Sequence, residues 1–230
     1  MPVKTEHSGI TSVFFDLDGT LVDTAPDLAN ALNRLLCEQN RAPLPFDTIR
    51  PVVSQGGNAL IELGFNCSSG DPGFQVLQER FLAIYDQLLH KDSHLFPGMD
   101  EVLHVLEKRG LQWGIITNKP GWLTQPLVEE LALQDRAACI ISGDSAEHKK
   151  PHPAPMLMAM EMTGSIPDQC VYIGDAERDI SAGKAVSMHT LIALYGYISS
   201  EDKPEDWHAD GMIEMPGQIL EWITTFNNQA

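Results

Sequence analysis

Two pairs of carboxylates stand where apolar runs stop. In "VFFDLDGTLVDTAPD" (13–27), Asp16 and Asp18 flank one leucine, and Gly19 follows, free to turn. In "YIGDAERDI" (172–180), Asp175 follows Gly174 and Asp179 lies four residues further on. Residues two apart on an extended chain share a side, and residues four apart share a helix face. If both segments end at one edge of a parallel sheet, three or four carboxylates converge, and they repel one another unless a cation sits among them. Magnesium suits that position, being hard, oxygen-preferring and content with few protein ligands. Two other segments carry the opposite chemistry. "IITNK" (115–119) ends in Thr117, Asn118 and Lys119, all able to donate to an anion, and "EHKKPHPAP" (147–155) supplies Lys149 and Lys150 before Pro151. A lysine pair held by prolines in an acidic chain is a candidate phosphate partner. Lys149 reads as a solvated surface lysine. His148 and His152 have helical spacing, but prolines 151 and 153 disfavour a helix there, so the pair reads as no site.

Two simpler explanations fail. "DLDGTLVDTAPD" is not a calcium loop, because Leu21 occupies the position that requires glycine. Ordinary turn chemistry accounts comfortably for one aspartate–glycine strand end and poorly for two.

The elements that must hold these residues follow from periodicity. Segments 12–16, 112–117, 138–142, 170–174 and 190–195 have strand length and β-branched or aromatic content, and most are apolar throughout, as strands buried on both faces of a parallel sheet are. Helical patterns over 24–39, 99–109, 122–133, 154–163, 177–187 and 217–226 alternate with them. In the first, Leu28, Leu32, Leu35 and Leu36 form one stripe, Thr24 can cap it and Asp27 suits its first turn. Strand–helix alternation predicts an α/β fold, a doubly wound, Rossmann-like parallel sheet. One interval breaks the rhythm. Between Asp23 and Leu95 no strand is evident, while Leu77, Phe81, Ile84 and Leu88 keep helical spacing. The expected organisation is a core of residues 1–22 and 96–230 with a small helical domain, 23–95, inserted over the carboxyl ends of the strands.

Composition bounds the function. The 230 residues carry a formal charge of −17, which disfavours nucleic acid as a partner and obliges any anionic ligand to find local positive charge. No apolar run approaches the roughly 20 residues that span a bilayer, so no membrane association is expected. "MPVKTEHSGI" lacks a basic region followed by an apolar one, so a cytoplasmic protein without a signal peptide is expected. Cys37, Cys67, Cys139 and Cys170 form no C-x-x-C pair; all four read as reduced, Cys139 and Cys170 as buried packing.

In order and spacing, "DLDGT", "TNK", "KPHPAP" and "GDAERDI" resemble the four motifs of the haloacid dehalogenase-like hydrolase superfamily, over about residues 12–195. The insertion resembles that family's type-one cap. "FFDLDGTLVDTAPDLANALN" and "KPHPAP" are similar to bacterial phosphoglycolate phosphatases; "IRPVVSQGGNALIELGF" is more like the N-acetylmuramic acid 6-phosphate phosphatase branch. The resemblance implies a magnesium-dependent phosphomonoester hydrolase acting on a small phosphorylated metabolite. Asp16 would attack phosphorus, and Asp18 would give and then take a proton. The ion would be held by the Asp16 carboxylate, the Asp18 carbonyl and Asp175. Thr117 and Lys150 would hold the phosphoryl group, and Asp179 would orient Lys150 or water from behind. Asn118 is a further candidate for substrate contact, as are Arg50, Ser54, Gln55 and Gly56 of the insertion, with Asn58 beside them.

Related activities are weighed on residues. Dehalogenases of this type lack an acid at the position of Asp18. Phosphonate hydrolases use a cap lysine, and Lys91, the one lysine between Asp23 and Leu95, lies near the hinge. Phosphosugar mutases of the β-phosphoglucomutase type share all four motifs and stay open. A non-catalytic regulator keeping the fold would usually have lost a nucleophile or ligand, and here each is present. The chain is expected as a monomer or homodimer.

Overall fold

The computed structural model describes residues 9–229, so most of the segment read for a signal peptide lies outside it. Six parallel strands form one sheet in the order β5-β4-β1-β6-β7-β8. They are β1 (Ser12–Phe15), β4 (Gln112–Ile116), β5 (Cys139–Ile141), β6 (Cys170–Gly174), β7 (His189–Ala193) and β8 (Gly211–Ile213). The chain builds outward from β1 through β4 to β5, then returns to the other side of β1 for β6, β7 and β8. Such a reversal opens a crevice at the carboxyl end of the central strand.

β1 is buried along its whole length because helices cover both faces. α5 (Met99–Lys108), α6 (Gly121–Glu130), α7 (Ala154–Thr163), α8 (Glu177–Ala185) and α9 (Gln218–Gln229) alternate with the strands, as periodicity predicts. Phe14, Ile116, Met156, Ala159 and Tyr172 make the apolar layer on one side of the sheet. Val13, Phe15, Ile115 and Ile173 belong to the layer on the other.

The interval 23–95 holds α1 (Ala25–Glu38), α2 (Phe46–Ile49), α3 (Gly57–Phe65) and α4 (Phe74–Leu88), with a 3-10 helix over Arg50–Gln55 between α2 and α3. The leucine stripe of α1 is buried against α3 and α4. Its apolar cluster runs on without a break, through Leu17, Leu21 and Val22, into the layer under β1. The helices therefore share a core with the sheet as well as with one another.

Three features differ from expectation. β2 (Val22–Asp23) and β3 (His94–Leu95) pair antiparallel at the two ends of the insertion, where no strand was evident. Their partners lie some seventy residues apart, and two-residue strands leave no periodicity to read. β8, three residues that begin with a glycine, escapes for the same reason. Thr24 is the N-terminal cap residue of α1 but makes no side-chain cap; its hydroxyl is turned to Asp18, and the Tyr197 hydroxyl accepts the Thr24 and Ala25 N–H groups at 2.7 and 2.9 Å instead. Asp27 is fully buried and accepts from Asp92 N–H, Ser93 N–H and the Ser93 hydroxyl, which fastens the far end of the insertion to its first helix. The four cysteines are free, with Cys139 and Cys170 buried.

Candidate active site

Asp16, Thr117 and Asp175 each follow the last residue of β1, β4 or β6, three adjacent strands of the sheet. Phe15 is in register with Ile115 and Ile173, so Thr117 and Asp175 stand one residue beyond the level of Asp16, all three at the same sheet edge. Gly19 makes this possible. Its φ of +89° turns the chain sharply after Asp18, and a side chain there would run into the Asp175 carboxylate.

Lys150 reaches the same point from the loop after β5. Its side chain is wholly buried, with Nζ 2.9 Å from Asp16 Oδ1, 2.7 Å from Asp179 Oδ1, 2.7 Å from the Tyr172 hydroxyl and 2.8 Å from the Ile116 carbonyl. Asn118 is used to fix that loop: its side-chain amide donates to the Lys150 carbonyl and its side-chain oxygen accepts the Lys150 N–H. It borders the cavity, but its hydrogen-bonding groups are turned to the backbone rather than offered to a ligand. Asp179, on α8, takes the Ala176 N–H on Oδ2 and faces Lys150 with Oδ1, an ion contact without good hydrogen-bond alignment.

Asp16, Asp175 and Asp179 can bring carboxylate oxygens within 4.8 Å of one another, and all three are buried. Burial pushes the Asp16 carboxyl up to about 6; Lys150 opposes the rise and Asp179 adds to it. Asp175 is pushed up to about 7 by burial, then by repulsion from Asp16 and Asp179. Of the three acids, Asp16 and Asp179 pair with the buried Lys150 ammonium, and Asp175 is held by neutral donors, among them the Ser54 hydroxyl and the Tyr197 N–H. The donor set is all hard oxygen and electrically short of positive charge, so it fits a metal ion.

The insertion closes over this edge. Ser54 donates from its hydroxyl to Asp175 Oδ2 at 2.6 Å, beside the Tyr197 N–H at 2.8 Å. Arg178, from the "GDAERDI" segment, donates to the Ser54 carbonyl. Arg50 does not line the cavity, contrary to its expected place at the substrate. Its guanidinium donates to the Tyr195 and Gly196 carbonyls at 3.0 and 2.9 Å and covers the Tyr197 ring at 5.0 Å. The one arginine of that stretch is thus consumed in seating the insertion on the loop after β7. Gln55, Gly56 and Asn58 do border the cavity, as does exposed Lys149. His148 and His152 lie outside any helix, their rings 4.4 Å apart at the surface.

The cavity has a volume of about 440 Å³. Asp16, Asp18 and Thr117 lie on its sheet side, and Phe81, Leu82 and Tyr85 of α4 on the other. Asp18 Oδ1 accepts from the Thr24 hydroxyl at 2.6 Å and from Lys119 Nζ at 2.9 Å, and that ammonium also donates to the Tyr85 hydroxyl at 2.7 Å. Sequence reasoning singled out Lys119 only as an anion donor and missed Tyr85, Arg178 and Tyr197. Arg178 stood within a recognised segment. Tyr85 had no signal beyond its place in a helix, because what matters is which residue the helix sets against Lys119.

The model of the haloacid dehalogenase-like hydrolase family matches residues 13–193, which include every one of these strand ends. The chain belongs to that family. A phosphoglycolate phosphatase of Xanthomonas campestris is 41% identical over 91% of this hydrolase and 95% of its own length. An N-acetylmuramic acid 6-phosphate phosphatase of Pseudomonas putida is 36% identical over 93% and 96%. Among solved structures, that of a predicted phosphoglycolate phosphatase from Haemophilus somnus superposes with a TM-score of 0.82 at 25% identity, covering 94% of this chain and 98% of that one. Among the described residues, no helix of the hydrolase is long and apolar enough to cross a membrane.

Proposed function

We propose that this chain is a magnesium-dependent phosphomonoester hydrolase of the cytoplasm, with residues 23–95 as its cap, acting on a small carboxylated phosphoester through an aspartyl phosphate. The observation that carries the reading is the meeting of Asp16, Asp18, Thr117 and Lys150 at one edge of the sheet beneath a covered cavity. An Asp16 oxygen attacks phosphorus while the ester P–O bond breaks, and Asp18 gives its proton to the departing alkoxide. Water then attacks the same phosphorus, Asp18 takes its proton, the bond to Asp16 breaks and phosphate leaves. The Thr117 hydroxyl, which accepts the Lys119 N–H at 3.1 Å, keeps its own hydrogen for a phosphoryl oxygen. Lys150 neutralises Asp16 and the phosphoryl group, and Asp179 holds Lys150 in place. A magnesium ion held by Asp16, Asp175 and the Asp18 carbonyl would add the positive charge that phosphoryl transfer requires.

Relatives named phosphoglycolate phosphatase support a two-carbon acid as the substrate. A second reading is favoured by the cavity. About 440 Å³, bordered by the apolar Leu28, Phe81 and Leu82 and by the amides of Gln55, Asn58 and Gln78, exceeds what two carbons fill and suits a leaving group with apolar surface and several polar atoms. An N-acetylated sugar acid, as in the name of the P. putida relative, has both. With Arg50 occupied, Lys149 and Arg178 at the cavity wall are the cations with donors to spare for a substrate carboxylate. Phosphate release from the two esters, measured side by side, tests the choice. A larger kcat/KM for the sugar ester supports the second reading; its rejection, with phosphoglycolate turned over, supports the first; inactivity on both and on a wider panel of phosphomonoesters removes the phosphatase reading.

Arg50→Ala tests the geometry of the cap. Hydrogen bonds from a charged donor are worth roughly 1.5–3 kcal/mol each, and two of them fasten Arg50 to the core. The expected result is a common loss of kcat/KM on phosphoglycolate and on p-nitrophenyl phosphate. A loss confined to the carboxylated ester would return Arg50 to the substrate.

A further inference from the structure

The Asp18 carboxylate is held asymmetrically. Oδ1 receives both the Thr24 hydroxyl and the Lys119 ammonium, while Oδ2 has no hydrogen-bond partner among the described residues. Asp18 lines the cavity and keeps 18% of its side chain exposed, so a free oxygen there is available to a ligand.

Lys119 is itself fixed at both ends. Its carbonyl accepts the Gly143 N–H at 2.8 Å and its N–H bonds to Thr117, which ties the backbone to the ends of β4 and β5. Its ammonium is held between Asp18 and Tyr85, with 5% of the side chain exposed. Burial alone would push the ammonium's pKa down, but Asp18 and Tyr85 outweigh it, and Lys119 stays charged. Burial pushes the Tyr85 hydroxyl up to about 12, so it stays protonated and accepts from the lysine. Tyr85 is 1% exposed and stacks on Phe81, with ring centroids 6.3 Å apart, so α4 delivers its hydroxyl with little freedom. Asp18 and Tyr85 take two of the three N–H donors of the Lys119 ammonium. What Lys119 can do is decide where the Asp18 carboxylate points.

We propose that Lys119, seated by Tyr85 of the helical insertion, is a positioning residue for Asp18: it pins one carboxylate oxygen so that the other faces the ester oxygen of the substrate. This rests on the reading of Asp18 as the proton carrier. It makes proton delivery depend on the seating of α4, since Tyr85 meets Lys119 only when that helix lies over the strand ends.

The test is leaving-group dependence, which a merely structural role does not alter. kcat/KM reports the steps up to phosphoryl transfer to Asp16, and only an alkoxide needs a proton in that step, because nitrophenolate departs unaided. Asp18→Asn should lower kcat/KM for an alkyl phosphate by about 100-fold more than for p-nitrophenyl phosphate. Tyr85→Phe removes a single hydroxyl and keeps the ring; it should cost the alkyl ester about 10-fold and the nitrophenyl ester less than about threefold. Lys119→Met and Thr24→Val should lose in the same unequal way, with thermal melts establishing that each variant folds. Adding Tyr85→Phe to Asp18→Asn should produce no further ester-dependent loss, because the group being positioned is gone. Equal losses on both esters, or none, in folded Tyr85→Phe and Thr24→Val would overturn the positioning role while Asp18→Asn still discriminates. An Asp18→Asn enzyme without ester dependence would instead remove the proton-carrier reading, and this proposal with it.

Discussion

Asp16→Asn is expected to lower phosphate release by about four orders of magnitude or more on every ester, and to leave no phosphate on acid-denatured protein after exposure to labelled substrate. The amide is nearly isosteric. Its oxygen can still accept the Leu17 N–H and the Lys150 ammonium, which meet Asp16 Oδ1 at 2.7 and 2.9 Å, so the local fold has no reason to fail. Lys150 also keeps Asp179, so no buried charge is left alone. What is lost is the second anionic oxygen, the one that would form the bond to phosphorus. Because nothing else in the cavity replaces that bond, the loss should not depend on the leaving group, in contrast to Asp18→Asn. Retention of even a few per cent of activity in protein free of wild-type enzyme would remove Asp16 as the nucleophile.

Chelation carries the second large effect. Metal-free protein should be inactive, regain activity with magnesium, and regain little with calcium, whose larger and looser coordination misplaces the nucleophile. The same cluster predicts a stability signature that needs no turnover. The Asp16 and Asp175 carboxyls lie near 6 and 7 in the fold against 3.8 for a free aspartate. Between those values the folded protein holds protons that the unfolded chain has released, so without metal the stability these two groups contribute is fully present below about pH 4 and is lost as pH rises through 7. The melting temperature of chelated protein should therefore drop between pH 5 and 8, and magnesium should restore it most at the alkaline end by binding only the folded form. Asp175→Asn should flatten the chelated profile. A flat profile in the parent, or full activity after exhaustive chelation, would count against a metal at these carboxylates.

Much of this was legible in the residues themselves. The buried strands announced themselves because β1, β4 and β6 are apolar on both faces, and the leucine stripe of α1 because one side must leave water. Asp16, Asp18, Thr117 and Asp175 stood out because polar groups at the ends of such strands need a reason, and strand ends in a parallel sheet share an edge; Lys150 stood out as one of a lysine pair before a proline, and the family motif singled it out from Lys149. Local pattern is enough for that much. It does not decide which residues meet across the gap between insertion and sheet. Arg50 looked free for a substrate, yet packing brings it against the Tyr195 and Gly196 carbonyls. Asn118 looked like a ligand donor, yet its amide closes on the Lys150 backbone. Thr24 looked like a helix cap, yet Tyr197 arrives from 173 residues away to take that task, and the hydroxyl turns to Asp18. Spacing along the chain governs which neighbours share a face, so strand ends and helix stripes can be inferred from it. The partners of Lys119, Arg50 and Thr24 depend on how the helices settle on the sheet, a matter of contacts between residues far apart in sequence that only the folded structure decides.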